Sequence, residues 1–132
     1  MAVSTSGMDF SLNGGNLDFV IYQGKTLGWG IEITSEELPI DISALKARMQ
    51  LRKHQKSTDY IAEFTTENGR IEMGSDGIMW ISMASADSAE LPIGTGYYDI
   101  KIIDPDDVTD DPEGRVMQIQ SGQYQIIGEI TR

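Results

Sequence analysis

The sequence predicts an all-β protein, a two-sheet antiparallel β-sandwich with one or two short helical turns between strands. Three observations carry that prediction. Apolar residues recur at period two in successive runs, β-branched and aromatic residues gather in those runs, and Gly, Asn and Asp turn signals separate them at short spacing. Strand–helix–strand alternation does not occur, which argues against a parallel α/β sheet.

Residues 1–16 read as an extended arm, rich in Ser, Gly and Asn, with Met8, Phe10 and Leu12 as its few apolar anchors. Such an arm orders by docking Phe10 and Leu12 on a neighbour through strand addition, or by pairing as an edge strand of its own domain. The sandwich domain is expected over residues 17–132. Leu17–Gln23 is an apolar run closed by Gly24. Leu27–Thr34 places Leu27, Trp29, Ile31 and Ile33 on one side, with Gly28, Gly30 and Glu32 between them. Trp29 is therefore a core residue. Asp41–Leu45 forms at most one turn after Pro39. Lys46–Arg52 alternates cleanly, with Ala47, Met49 and Leu51 inward and Lys46, Arg48, Gln50 and Arg52 outward.

Tyr60–Thr65 is the next run. Asn68-Gly69 signals a hairpin turn into Arg70–Met73, and Asp76-Gly77 signals another into Ile78–Met83. In that last run Trp80 lies opposite Met79 and Ile81 and is expected on the outer surface. Ser85–Leu91 reads as a capped helix of about two turns, stopped by Pro92. Tyr97–Ile103 sends Tyr98, Ile100 and Ile102 inward, with Asp99 and Lys101 outward. Arg115–Ile130 is the last strand, and Gly122 in its middle suggests a bulge or a bend between sheets.

The chain of 132 residues fits one domain, because a chain of this size buries roughly two-thirds of its unfolded surface in a single core. With 39% apolar and 23% charged residues it is globular rather than disordered. The formal charge is −11 (10 cations against 21 carboxylates), so wrapping nucleic acid is unfavourable. No apolar run approaches the about 18 residues of a membrane helix, and no basic-then-apolar leader opens the sequence. The expectation is no nucleic acid and no membrane. The absence of cysteine excludes a disulfide framework, a thiolate zinc site and a cysteine nucleophile.

A search for chemistry finds little. His54 stands among Arg52, Lys53, Gln55 and Lys56, with no recognisable nucleophile or orienting partner; the segment reads as a solvated turn and strand face. Half of the ten basic residues fall between Lys46 and Lys56, and a basic face of Arg48, Arg52, Lys53 and Lys56 suits an acidic patch on a partner or a second copy. Residues 104–114 carry six carboxylates; Asp104, Asp106, Asp107, Asp110 and Asp111 are the candidate Ca²⁺ ligands, against the simpler reading of a solvated hairpin tip. The spacing is not that of an EF-hand, because no glycine holds the sharp-turn position and two prolines stiffen the loop. Gly94-Thr95-Gly96 and Gly28-Trp29-Gly30 are not phosphate loops, as no helix with a Lys-Ser/Thr pair follows. An exposed Trp80 is a candidate contact anchor. No catalytic residue, metal centre or cofactor is predicted.

The order of the segments is distinctive. Gly24–Ile33, Pro39–Arg52, Glu63–Ile71, Ala84–Ile100 and Ile119–Arg132 together resemble small immunoglobulin-like β-sandwich proteins of tailed-bacteriophage and prophage tail gene clusters. The shared motifs are a turn glycine before the Tyr98-Asp99-Ile100 strand and the closing strand that ends at Thr131-Arg132. Two features depart from the pattern: the acidic insertion 104–113 and the long arm 1–16. The resemblance implies a virion component of the tail, neck, baseplate or fibre attachment, made in the host cytoplasm. It also implies other phage structural proteins as partners, a symmetric homo-oligomer in the particle, and no enzymatic activity. Phe10, Leu12, Arg48, Arg52, Lys53, Lys56 and Trp80 are the expected partner-binding residues. Two alternatives use the same sandwich: a capsid decoration protein, and a carbohydrate-binding module stacking sugars on Trp80, Tyr97 and Tyr124.

Overall fold

The computed structural model describes the backbone of residues 2–6, 10–13, 16–35, 38–106 and 114–128, and the side chains of 17–34, 38–106 and 114–128. The elements run β1 (Ala2–Ser6), β2 (Phe10–Asn13), β3 (Asn16–Tyr22), β4 (Leu27–Ser35), β5 (Leu38–Pro39), β6 (Lys46–Arg52), β7 (Ala62–Thr65), β8 (Ile71–Met73), β9 (Ile78–Met83), α1 (Ser85–Ser88), β10 (Gly94–Asp104) and β11 (Arg115–Ile127). Two sheets face each other, as the alternation predicts. Sheet A has the order β1-β4-β9-β8, with β5 on the end of β4; sheet B has the order β2-β3-β11-β10-β6-β7.

Among the described residues all strand pairings are antiparallel except one. β3 runs parallel to β11, from Phe19↔Tyr124 to Tyr22↔Ile127. Parallel neighbours need a long connection, and here the connection is most of the domain. The arm supplies an edge strand to each sheet of its own chain: β1 pairs with β4 from Ala2↔Thr34 to Ser6↔Gly30, and β2 pairs with β3 from Phe10↔Phe19 to Asn13↔Asn16.

Between the sheets, the inward residues of β4, Trp29, Ile31 and Ile33, meet Met49, Leu51, Phe64, Ile100 and Ile102 of sheet B. Trp29 is fully buried, with its ring 5.7 Å from Phe19 and 6.1 Å edge-on from Phe64. Phe19 in turn meets Tyr98 edge-on at 4.6 Å. The inward and outward sets of β6, β9 and β10 are those the period-two pattern assigns.

Three expectations need correction. Asn68-Gly69 does not turn a hairpin: β7 belongs to sheet B and β8 to sheet A, so the turn carries the chain across. Gly69 takes its positive φ of 80°, and the Asn68 side chain accepts from the Thr65 and Arg70 amides at 3.0 Å and donates to the Glu63 carbonyl. Asp76-Gly77, by contrast, does close a hairpin, between β8 and β9. The helix expected over Ser85–Leu91 is the four-residue α1, capped at Ala84 without a side-chain hydrogen bond. Ser88 explains why the turn stays tight: it is buried, and its hydroxyl donates to the Lys25 carbonyl at 2.7 Å, tying α1 to the β3–β4 loop. Gly122 is neither a bulge nor a bend between sheets. The register shift lies earlier, between Ile100↔Gln120 and Lys101↔Gln118, and β11 stays in sheet B throughout. Glycine is required at 122 because any Cβ there would run into the Leu17 carbonyl.

That same Leu17 carbonyl accepts the hydroxyl of Tyr98, which also receives a hydrogen bond from Gln120 Nε2 at 3.0 Å. Burial pushes the Tyr98 phenol up to about 12, against an ordinary 10.0, and the Asp18 carboxylate adds to the rise. Since the phenolate is disfavoured only in the folded state, stability is full below pH 10 and falls as pH rises from 10 towards 12. Urea unfolding across that range is expected to show the loss, and Tyr98→Phe to flatten it; an unchanged slope in the variant would refute the assignment.

Candidate functional site

The outward residues give the two sheets different surfaces. On sheet B, β6 and β10 pair so that Arg48 faces Lys101, Gln50 faces Asp99 and Arg52 faces Tyr97. Arg48 is exposed, and Lys101 Nζ lies 3.8 Å from Asp99 on its own strand. Arg52 is held in place. Its guanidinium donates to Gln50 Oε1 and to the Ser57 carbonyl, while Gln50 Nε2 donates to Glu63 Oε2. These bonds draw the 53–57 loop toward the sheet, with Lys53 and Lys56 exposed on it. Between loop and strands lies a shallow hollow of about 580 Å³, lined by Gln50, Arg52, Tyr97, Asp99, Lys101 and Gln118. Arg52, Lys56 and Lys101 thus border one hollow, with Arg48 of β6 beside Lys101, and Lys53 on the loop. Lys101 joins the expected cations, although only the β6–β10 register reveals that.

Sheet A presents an indole instead. Trp80 is 46% exposed and lies across β4, where glycines leave its strand bare. A Cβ at Gly28 would stand 3.0 Å from Trp80 Cζ2, and one at Gly30 3.3 Å from Cε3. One face of the ring thus rests on backbone, a known way of covering glycines in a sheet. Ile78, also exposed, borders the ring, and Glu32 and Glu72 stand outward on the neighbouring strands. The significance of the Gly-x-Gly spacing in β4 lies in this cross-strand shelf.

The remaining predicted residues divide. Phe10 and Leu12 lie in β2, and their side chains are outside the described residues. Asp104 ends β10 and accepts from the Asp106 amide at 3.1 Å, an ordinary turn closure; Asp107, Asp110 and Asp111 lie outside the described residues. Among the described residues no group of three or more His, Asp or Glu converges as a metal site. His54 is exposed in the 53–57 loop, where its carbonyl accepts from the Ser57 amide. The three-aromatic sugar surface does not form. Trp80 is on sheet A, Tyr97 is outward on sheet B, and Tyr124 is buried against Gly96 with its phenol pushed up by desolvation.

No protein-family model matches the chain, and no curated protein is significantly similar to it.

The two tryptophans report on this arrangement separately. Trp80→Phe should leave only the buried Trp29, giving blue-shifted emission that acrylamide barely quenches. Persistent strong quenching in that variant would contradict the burial of Trp29.

Proposed function

We propose that the chain is a non-enzymatic structural module of a tailed-phage virion, built into the tail, neck, baseplate or fibre attachment through its N-terminal arm and sheet edges. The observation that carries this reading is the place of the arm. β1 and β2 are held to the body by backbone pairing at the edge of each sheet, the geometry in which a strand can be exchanged for, or extended by, a strand of a neighbour. The segment-by-segment resemblance to phage tail sandwiches supports the setting. The broad, firmly packed sheet surfaces suit a part that neighbours grip on several sides.

Deleting residues 1–16 should leave a folded domain, because the buried cluster described from Phe19 to Ile126 is drawn from residues outside the deletion, but one that no longer enters particles. Immunogold labelling of particles made with the wild-type and truncated chains measures this directly and places the label on tail or head. Normal incorporation of the truncated chain would overturn the role of the arm, and head labelling would favour a capsid decoration protein.

A further inference from the structure

We infer that the two outer sheet faces of this chain are complementary to each other, so that copies associate face to back, with sheet A of one copy on sheet B of the next. The inference rests on the reading of the chain as an assembly module and names its partner: a second copy.

Charge is the first argument. Although the chain carries −11, six of its ten cations (Lys46, Arg48, Arg52, Lys53, Lys56 and Lys101) stand on the outer face of sheet B or on the loop above it. The carboxylates described on that face and loop are Asp18, Asp59, Glu63, Asp99 and the rim residue Glu67, five against six. On the outer face of sheet A the outward charges are Glu32 and Glu72. The nearest cation, Arg70, is turned away to the seam between sheets, where it pairs with Asp87 at 3.3 Å, donates to the Glu63 carbonyl and covers the Phe64 ring. The sheet B face gathers most of the cations and a slight positive balance, whereas the described outward charges of sheet A are negative. Like faces would therefore repel and unlike faces attract.

Shape is the second argument. Sheet A offers a knob, the half-exposed Trp80 with Ile78, resting on a glycine shelf that fixes its height and tilt. Sheet B offers a hollow of about 580 Å³ whose walls include Arg52, Lys101 and Tyr97. Guanidinium and ammonium groups favour an indole face, the more so as water leaves the contact. The global repulsion of two −11 chains does not prevent this, because charges beyond about 10 Å are screened at 0.1 M salt while contacts inside the interface are not. Association through two different faces is heterologous, so it propagates, closing into a ring where the rotation between copies allows and extending as a filament otherwise.

The test is a charge swap followed by sedimentation of the full chain over micromolar to millimolar concentrations. Wild type should self-associate. Glu32→Lys/Glu72→Lys and Arg48→Glu/Lys101→Glu should each remain monomeric alone and should assemble when mixed, because each then meets an opposite face. All four positions are exposed, so the fold is not at risk; Trp80→Ala should weaken association by roughly tenfold or more. A wild type that stays monomeric, or double variants that assemble alone as wild type does, would overturn the inference. Particle incorporation that depends on residues 1–16 without any self-association removes this inference and leaves the arm reading standing. Self-association that obeys the swap while the truncated chain still enters particles does the reverse.

Discussion

The indole of Trp29 sets the spacing and curvature of the whole sandwich. It projects from a central strand of sheet A and reaches Phe19 on β3 and Phe64 on β7, which stand four strand positions apart in sheet B. A flat sheet would separate those strands by about 19 Å, yet the two ring contacts cap the separation of the phenyl centroids at about 12 Å. Sheet B curls, and its inward side chains lean together, to meet one side chain from the opposite layer. Every inward residue of β6, β10 and β11 packs on a surface shaped by that contact. The outward residues of the same strands, the cations among them, inherit their positions from it.

Both lateral seams of the sandwich are closed by strands adjacent in sequence. β7 and β8 lie at one pair of edges and β1 and β2 at the other. The first seam is stitched by side chains: Asn68 binds the backbone on both sides of its turn, and Arg70 spans from Glu63 to Asp87. In the arm, the described bonds are those between main chains. A sandwich with one fastened side and one side held by its own leading segment has a direction built into it.

Much of this could be read from the sequence because a half-buried strand writes its burial directly into a period of two. Ala47, Met49 and Leu51, or Tyr98, Ile100 and Ile102, need no knowledge of their neighbours to be placed inward. The turns were legible only as local conformation. Asn68-Gly69 demands a positive φ whether the chain reverses within one sheet or crosses to the other, and nothing local distinguishes the two. For the arm, pairing as an edge strand of its own domain was one of the two legible outcomes, and it occurs at both sheets. Gly122 and the Gly28–Gly30 shelf were opaque because their reasons, the Leu17 carbonyl and the Trp80 ring, arrive from strands distant in sequence. Of the surface, the basic residues of one strand were visible, whereas Lys101 joined them only through register, and Tyr97 and Tyr124 were separated by facing opposite ways.

The parallel neighbour of β3 has a further consequence, for the order in which the protein comes into being. Phe19 cannot find Tyr124 until more than a hundred intervening residues have left the ribosome. β3, which precedes every strand of sheet B but β2, therefore waits beside β2 while sheet A and the middle of sheet B take shape. Contacts this remote in sequence make folding slow, and during that interval the waiting strand has an unclaimed edge. The pairing of β2 with β3 lets the nascent chain shield one side of that strand from the outset.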